Sequence, residues 1–412
     1  MSVVDLLKNW KENNPQIKNI VIFVSDALRW DYTPSEISSL GVTLKCIASG
    51  TYTATSFPSI VTGLYPQHHG VFSFWDRLPN YLSSILRVRD YNTSLWTENT
   101  WVGYDPPESS PIYRILSHRK RISLEELKPP FVYLEDEKGG HCPYGWSSEN
   151  AEYEEWDCQN FFRDYGKKGK KILSEKYREG IERSVRIFKH RMKVIEERGL
   201  TDETLMIFLS DHGELLGEYG GLVGHEILTA PEIVYVPTIF IHTDLPKGKY
   251  CDKEGIIRHV DLYPTISDLI KKKITNKVNG VNLFKSKKLP IYGYTYYYKK
   301  KEKDNSNESL LSYKIKEKSI WDKDGGYLFR EEPSLIMRLL RSCYLTALSN
   351  SSINAIYQKE LMKKKKFFNM IRNYYKLLKY LCKSTIKYCS PSFSLEEAHK
   401  LKVHFDYENV VY

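Results

Sequence analysis

Short apolar runs alternate with longer polar segments along this chain, and several of the runs have the length of buried strands. Residues 205–209 form an unbroken apolar run that stops at a Ser-Asp pair ending in Asp211. Residues 20–24, far upstream, form a second run that stops at a Ser-Asp pair ending in Asp26. Continuous apolar runs of this kind are typical of parallel strands that are covered on both faces.

The same pattern predicts further elements of both kinds. An apolar stripe at steps of three and four residues predicts a long amphipathic helix over residues 171–200. Further strands are expected at residues 43–47, 91–96, 130–135, 233–242 and 290–297, and further helices at 60–64 and 261–270. Strands that alternate with helices predict an α/β fold with a mostly parallel central sheet sandwiched by helices. Pro237 indicates an edge or a bulge in its strand.

The last quarter of the chain has a different pattern. Residues 309–350 are expected to form short strands with a turn at Gly325 and Gly326, and residues 359–388 form a basic segment with helical spacing. We therefore expect a catalytic domain over residues 1–300 and a smaller C-terminal α+β region over 301–412. The basic helix could contact an anionic membrane surface, or it could simply pack its apolar side on its own domain.

Composition excludes some classes of protein and leaves others open. The 412 residues carry a net charge of +10, which favours anionic partners in general, and nothing in the pattern indicates nucleic-acid binding. No apolar run is long enough to span a bilayer, and the N-terminal segment lacks the pattern of a signal peptide. We therefore expect a cytoplasmic protein of unknown oligomeric state. The seven cysteines are scattered, without a CxxC pair, so they support neither a zinc knuckle nor a disulfide framework.

Candidate chemistry lies where the two strongest strands end. Asp26 follows one strand, and Asp211 and His212 follow the other. Ligands and metals bind at the carboxyl ends of strands in α/β proteins. Two carboxylates and an imidazole would suit a divalent cation. The alternative is that Asp211 caps a helix beginning at His212.

A candidate nucleophile and a candidate substrate contact come from two other segments. Residues 49–71 begin with a turn rich in Ser and Thr and continue into an apolar helix. A hydroxyl at the N-terminus of a helix could bind an anion or attack a phosphate or sulfate ester, although Ser and Thr more often serve only as caps. His141, in a Gly- and Pro-rich loop after the strand at 130–135, is either a substrate contact or an ordinary loop residue.

Five sequence blocks in a fixed order resemble the sulfatase branch of the alkaline phosphatase superfamily over residues 17–300. The blocks are Asp-x-Leu-Arg-x-Asp at 26–31, Thr-Gly-Leu-Tyr-Pro-x-x-His-Gly at 62–70, Gly-Gly-His-x-Pro-Tyr at 139–144, Ser-Asp-His-Gly-Glu at 210–214 and His-Val-Asp-Leu-Tyr-Pro-Thr at 259–265. The resemblance implies the sulfatase-like fold and one divalent metal held by Asp26, Asp211, His212 and the nucleophile. It also implies that His225 and His141 contact the ester oxygens or the leaving group.

The nucleophile departs from the sulfatase pattern. Sulfatases carry a Cys or Ser that is oxidised to formylglycine, and counting back from Thr62 puts Thr53 at that place. Counting from Pro58 instead gives Ser56, because residues 56–59, Ser-Phe-Pro-Ser, mimic the sulfatase motif. Pro fits best in the first turn of a helix, which suits a helix that begins near Ser56. Thr53 is preferred because its block is the longer match, and Thr55 is a lesser alternative. Ala27 replaces a second Asp, which would suit Mn or Zn better than Ca.

These observations predict a metal-dependent hydrolase or transferase of phosphate, phosphonate or sulfate esters with a covalent Thr53 intermediate. The expected substrate is a small-molecule, glycan or lipid ester. Two alternatives stay open: a sulfuric ester hydrolase that acts on sulfated sugars, and a catalytically silent protein that keeps the fold to bind anionic glycans.

Overall fold

The computed structural model describes residues 2–97, 109–141, 146–147, 152–153, 170–225, 228–250, 255–301, 313–331 and 383–407, together with 372, 375 and 380. The strands are β1 Asn19–Ser25, β2 Val42–Ile47, β3 Asn92–Thr97, β4 Phe131–Glu137, β5 Trp146–Ser147, β6 Glu152–Tyr153, β7 Thr204–Leu209, β8 Leu215–Gly217, β9 Leu222–Gly224, β10 Tyr235–Ile241, β11 Gly248–Lys249, β12 Ile257–Arg258, β13 Gly293–Lys301, β14 Tyr313–Trp321, β15 Gly325–Arg330 and β16 Thr385–Cys389. The helices are α1 Val3–Asn13, α2 Ser35–Ser38, α3 Thr53–Thr62, α4 Pro66–His69, α5 Pro111–Ile115, α6 Lys170–Glu197, α7 Glu218–Gly221, α8 Pro231–Val234, α9 His259–Leu269 and α10 Leu395–Tyr407.

A mixed central sheet organises the described part of the chain. It has eight strands in the order β11-β2-β10-β7-β1-β4-β3, with β12 also paired to β2. β1 lies parallel to both β4 and β7, and β3 lies parallel to β4. β10 runs antiparallel to both of its neighbours. The prediction of a mostly parallel sheet is confirmed.

Pro237 does not mark an edge, and that prediction is wrong. β10 is an interior strand, with Pro237 opposite Lys45 of β2. The Pro237 carbonyl accepts a hydrogen bond from the Ser210 amide at 3.3 Å, just beyond the last paired residue of β7. The nitrogen and the carbonyl of one strand residue point to the same side. The missing N–H of Pro237 therefore faces β7 where the pairing ends, and the loss is tolerated.

Two apolar layers cover the faces of the central sheet, because successive strand residues point to opposite sides. In β1, Ile20, Ile22 and Val24 join the core that includes α1, α3 and α9, while Val21 and Phe23 join the core under α6. The apolar stripe predicted for the long helix is buried in this second layer. These layers hold β1 and β7 side by side, with their carboxyl ends at one edge of the sheet.

A four-stranded antiparallel sheet, β13-β14-β15-β16, packs against the central one. The Tyr296 amide donates to the Ser49 carbonyl at 3.0 Å, and the Thr295 hydroxyl donates to the Ala48 carbonyl at 2.6 Å. One buried cluster contains Ile47 from the large sheet and Ile233 from α8 together with Trp321 and Leu328 from the small sheet. The small sheet is therefore attached to the turn that precedes α3.

The C-terminal predictions are confirmed in part. β14 and β15 are the strands expected after residue 309, while residues 332–350 lie outside the described part of the chain. The helix expected over 359–388 is wrong at its end, because residues from Thr385 onward form β16, in which Ile386 and Tyr388 are buried. The lysines at 363–366 lie outside the described residues. The division of the chain at residue 300 stays a prediction, although β13 already begins at Gly293. Among the described residues, no helix combines the length and apolar character that a membrane span needs.

Candidate active site

The structure brings Asp26, Asp211 and His212 together beyond the ends of β1 and β7. Val24 of β1 pairs with Leu209 of β7, so the residues that follow each strand lie side by side. One ligand atom from each of the three residues lies within 4.8 Å of the others, and all three residues are buried. The spacing therefore agrees with the predicted cation site.

His212 is held with one ring nitrogen facing both carboxylates. Its Nδ1 hydrogen bonds to the Gly213 carbonyl at 2.9 Å, which makes Nδ1 the protonated nitrogen. Its Nε2 lies 3.3 Å from Asp26 Oδ1 and 3.4 Å from Asp211 Oδ2. Atoms that share one cation at bond lengths of about 2.1 Å are themselves about 3 Å apart. The three atoms therefore have the spacing of a shared ligand set.

The Ser-Asp pair after β7 fixes the loop after β1. Asp211 Oδ1 accepts from the Ala27 and His212 amides at 3.2 and 3.0 Å. The Ser210 hydroxyl accepts from the Leu28 amide and donates to the His212 carbonyl, both at 2.7 Å. The alternative in which Asp211 caps a helix is wrong, because residues 212–214 are not helical and lead into β8. Ala27, in place of a second Asp, has a positive φ of 60° and contributes its amide.

Buried polar atoms without hydrogen bonds concentrate at this site. In the described part of the chain, both carboxylate oxygens of Asp26, Oδ2 of Asp211 and Nε2 of His212 make none. Burial, followed by the charge of Asp211, raises the pKa of Asp26 well above its usual value, and burial lowers the pKa of His212. Buried polar groups normally have partners. Two carboxylates and a neutral imidazole fit a divalent cation, so the residues present match a metal site.

A glycine loop places His141 beside this group. The Gly140 amide donates to the Asp26 carbonyl at 2.9 Å. Gly139 has a φ of 49°, and a Cβ there would lie 2.4 Å from the Asp26 carbonyl oxygen. The His141 ring centroid lies 6.2 Å from that of His212 and 4.8 Å from that of His225. The structure therefore brings His141 and His225 together at the predicted cation site.

Thr53 is the first residue of α3. Tyr52 precedes it in extended conformation, and Pro58 lies inside the helix. The interpretation that α3 begins near Ser56 is therefore wrong, and Ser56 lies one turn inside the helix. Thr55 donates its hydroxyl to the Tyr52 carbonyl at 2.9 Å. The hydroxyl oxygens of Thr53 and Ser56 are both buried and make no hydrogen bond to a described residue. These two candidate nucleophiles therefore differ in their position on α3 and not in their burial or hydrogen bonding.

His259 connects the turn before Thr53 to the strand before Asp211. Its Nε2 donates to the Ser210 carbonyl at 2.9 Å, and its Nδ1 accepts from the Ser49 amide at 3.3 Å. Burial lowers the pKa of His259 to about 4, so the ring is neutral and can play both roles. The candidate nucleophile and the candidate metal ligands are thus connected through one buried side chain.

Two family models match separate parts of the chain. Residues 20–128 match the family described as type I phosphodiesterase / nucleotide pyrophosphatase, and residues 175–272 match the sulfatase family. The low-salt glycan biosynthesis sulfotransferase Agl7 of Haloferax volcanii is 37% identical over 270 residues. The chain is therefore similar to sulfatase-like proteins of the alkaline phosphatase superfamily. The match to Agl7 covers 65% of this chain and 64% of that protein's length.

Solved structures of the superfamily share the fold. A 2-O GAG sulfatase is similar with a TM-score of 0.57 and 12% identity, covering 87% of this chain and 92% of that one. The phosphonate monoester hydrolase of Agrobacterium radiobacter is similar with a TM-score of 0.54 and 13% identity, covering 87% and 96%. These likenesses concern the fold. The matched families and similar proteins are described as phosphodiesterases, sulfatases, a sulfotransferase and a phosphonate monoester hydrolase.

Two buried residues at this candidate site had no role assigned from the sequence. Glu214 Oε2 lies 2.7 Å from Nδ1 of His225, and His259 forms the connection described above. Both residues lie in blocks that carry the family resemblance. Their contacts depend on a hairpin and on a helix N-terminus approaching from elsewhere in the chain, which residue spacing alone does not reveal.

Proposed function

We propose that this protein is an enzyme that transfers a sulfuryl or phosphoryl group from an ester, with Thr53 as the nucleophile. The observation that carries the proposal is a set of buried polar atoms without hydrogen bonds. Thr53 Oγ1 at the start of α3 is one of them, and ligand atoms of Asp26, Asp211 and His212 are the others. A hydroxyl at the first position of a helix faces the positive end of the helix dipole, where charge on an oxyanion is stabilised.

Asp26, Asp211, His212 and Thr53 would hold one divalent cation, with Mn, Zn and Ca as the candidates. A bound cation of this kind lowers the pKa of a coordinated hydroxyl and neutralises charge on ester oxygens. The Asp211 carboxylate and the His212 imidazole are already oriented by hydrogen bonds with neighbouring backbone groups. The binding atoms would therefore need little rearrangement on loading.

The reaction has two steps carried by side chains of this chain. In the first step, the Thr53 hydroxyl releases its proton to solvent and its oxygen forms a bond to sulfur or phosphorus. The bond to the leaving oxygen breaks, its electron pair stays on that oxygen, and His225 or His141 donates a proton to it. In the second step, water or an acceptor hydroxyl attacks the covalent intermediate and Thr53 leaves as a hydroxyl. Water makes the enzyme a hydrolase, and a sugar hydroxyl makes it a transferase.

The relative named above favours transfer to a glycan, because Agl7 is described as a sulfotransferase of glycan biosynthesis. The match to a phosphodiesterase family keeps phosphate esters as the second candidate substrate. A Thr at position 53 cannot become formylglycine, which separates the proposed chemistry from that of sulfatases acting on sulfated sugars. A silent binding protein for anionic glycans is the competing hypothesis. The intact ligand set counts against it.

The experiment compares turnover of p-nitrophenyl sulfate and bis-p-nitrophenyl phosphate before and after removal of metal by a chelator. We expect activity on at least one ester, lost with the metal and restored by Mn or Zn. Thr53→Ala should abolish turnover, while Ser56→Ala, the control in the same helix, should retain it. Full activity of Thr53→Ala together with loss in Ser56→Ala would assign the nucleophile to Ser56. A metal-free protein that turns over neither ester would favour the silent binding protein.

Location and partners stay predictions. The cytoplasmic assignment and the glycan or lipid ester substrate rest on the sequence alone. The basic segment proposed to contact a membrane surface lies mostly outside the described residues. Unchanged localisation of a chain that ends at residue 355 would count against a membrane role.

A further inference from the structure

Glu214 is a fully buried carboxylate in contact with a candidate catalytic imidazole. Its Oε2 lies 2.7 Å from Nδ1 of His225, and its side chain is 0% exposed, against 12% for His225. The hairpin β8–β9 explains the contact. Leu215 pairs with Gly224, so the next residues outward, Glu214 and His225, lie opposite each other. Side chains opposite each other on an antiparallel pair are close enough to interact directly.

The backbone around Glu214 is anchored independently of His225. The Glu214 carbonyl accepts from Arg29 Nη1 at 3.2 Å, and a Cβ at Gly213 would lie 1.9 Å from the Glu232 carbonyl oxygen. His225 follows Gly224, which has a φ of 91°. In the pair formed by Glu214 and His225, Glu214 therefore has the anchored backbone. We infer that its carboxylate restrains the His225 ring.

The hydrogen bond decides which ring nitrogen can act on a substrate. With Nδ1 donating to Glu214, the proton that His225 exchanges with a bound ester is on Nε2. A carboxylate that holds an imidazole in one tautomer and one orientation is a recurrent device in acid–base catalysis. The His225 ring lies 4.3 Å from His212 and 4.8 Å from His141, centroid to centroid, so it borders the candidate metal ligands.

A second metal site is the competing interpretation, because His212, Glu214 and His225 could also group around an ion. The hydrogen bonds argue against it. The Nδ1 atom of His212 is bonded to Gly213, and its Nε2 faces Asp26 and Asp211. Glu214 Oε2 and His225 Nδ1 are bonded to each other, so these two atoms are already engaged.

We propose that Glu214 is a positioning residue that holds His225 with Nε2 directed to the leaving oxygen of the ester. The proposal rests on the proposed function above. When the bond between the leaving oxygen and sulfur or phosphorus breaks, its electron pair stays on that oxygen. The oxygen then takes the Nε2 proton, and His225 is left neutral with its Nδ1 proton still donated to Glu214.

The kinetic test compares two substrates whose leaving groups differ in their need for a proton. A loss of proton donation affects one substrate more than the other, whereas a folding defect affects both equally. Bis-p-nitrophenyl phosphate releases an anion that needs no proton, whereas diphenyl phosphate releases a phenol that does. General acid catalysis contributes about 10²- to 10⁴-fold. Glu214→Ala should therefore lower kcat/KM for diphenyl phosphate by about 100-fold or more and for bis-p-nitrophenyl phosphate by less than about 10-fold. Glu214→Gln, which can still accept from Nδ1, should fall between wild type and Glu214→Ala.

The matched control is Glu218→Gln. Glu218 is a carboxylate of the same hairpin that pairs with Arg29 at 3.1 Å and accepts from the Leu216 amide at 2.5 Å. It should lower both rates equally or not at all. An equal loss on both esters in Glu214→Ala would overturn the proposal. If the wild type turns over sulfate esters only, p-nitrophenyl sulfate and phenyl sulfate replace the two phosphates with the same expected contrast. Absence of turnover of every one of these esters in the wild type would instead count against the proposed function.

A second measurement does not depend on activity. A hydrogen-bonded imidazole N–H gives a strongly downfield proton resonance, which we expect in the wild type and in Glu218→Gln. The resonance should disappear in Glu214→Ala and in His225→Gln. Its persistence in Glu214→Ala would overturn the proposal. Binding of two equivalents of Zn by the wild type and one by Glu214→Ala would also overturn it, in favour of the second metal site.

Discussion

Single buried side chains connect the parts of this site at the residue scale. His259 satisfies the amide of Ser49 and the carbonyl of Ser210, and both residues are fully buried. One ring therefore sets the separation between the turn before Thr53 and the strand before Asp211. His259 is a structural residue of the candidate site, because its two nitrogens are both bonded to backbone groups.

Replacing His259 tests this role. His259→Ala leaves two buried backbone groups without partners, each costing about 1–3 kcal/mol. We expect the free energy of unfolding to fall by about 2–4 kcal/mol in urea denaturation and turnover to fall with it. His190→Ala, an exposed histidine on α6, is the control and should change neither quantity. Equal stability of the two variants would contradict the role assigned to His259.

The residues that could be predicted from the sequence are those that follow strands directly. Asp26 and Asp211 come after apolar runs that pair as parallel neighbours, so strand order alone brings them together. Glu214 could not be paired with His225 in this way, because their contact requires the β8–β9 hairpin. Thr53 and Ser56 differ only in where α3 begins, and Pro58 inside the helix made that boundary ambiguous.

At the scale of secondary-structure elements, close packing between the loops after β1 and β4 positions the site. The loop after β4 approaches the loop after β1 so closely that only glycine fits at position 139. Tyr177 of α6 makes hydrogen bonds to the loop after β1. Its hydroxyl donates to the Ala27 carbonyl at 2.7 Å and accepts from the Arg29 amide at 2.9 Å. The position of Asp26 therefore depends on α6 and on the loop after β4.

Gly139→Ala tests this close approach. The added methyl group would contact the Asp26 carbonyl and Ser25 Oγ, so we expect weaker metal binding by calorimetry and a loss of turnover. Gly199→Ala is a matched control, because Gly199 also has a positive φ, of 67°, but a Cβ there would meet nothing within 4 Å. Both variants should lose about 1 kcal/mol of stability from backbone strain. Equal metal binding by the two variants would contradict the account.

Buried ion pairs join α6 to β4. Arg191 makes two bonds of 2.8 Å to the buried Glu135 carboxylate. Removing one partner of a buried pair leaves an uncompensated charge and costs about 3–5 kcal/mol. We expect Arg191→Ala to lower the free energy of unfolding by that amount in a denaturant titration. Lys193→Ala, which breaks an exposed pair with Glu197 on the same helix, should cost less than about 1 kcal/mol. A similar cost in both variants would contradict the assignment.

Elements with strong periodicity were predicted best. The long helix α6 and the strands β1, β4 and β7 agree with the sequence pattern within a few residues. β10 was placed correctly, but Pro237 suggested an edge, because the pattern does not reveal where a neighbouring strand ends. The strand β16 was predicted as helix, since Ile386 and Tyr388 follow a basic segment with helical spacing.

The two sheets form one connected core at the scale of the whole molecule. The small sheet makes hydrogen bonds to residues 48 and 49 through Thr295 and Tyr296, and it packs against Ile47 of the large sheet and Ile233 of α8. A division near residue 300 is visible in the sequence pattern. The shared core is not, because its contacts join residues about 250 positions apart, as between Thr295 and Ala48.

Truncation at residue 290 tests this connection. Without β13–β16 the apolar surface around Ile47 and Ile233 would be exposed to solvent. We expect a chain of residues 1–290 to aggregate or to lose its near-ultraviolet circular dichroism. A monomeric, well-ordered and metal-binding fragment on gel filtration would contradict the shared core and would make the catalytic domain independent.

The central claim is that Thr53 becomes covalently modified beside the Asp26, Asp211 and His212 ligand set. The most direct measurement is rapid acid quench of the metal-loaded enzyme with p-nitrophenyl sulfate or bis-p-nitrophenyl phosphate, followed by tandem mass spectrometry of the peptide that contains α3. The account predicts an adduct on Thr53 that is absent after metal removal. An adduct on Ser56, or turnover without any adduct on this peptide, would contradict it.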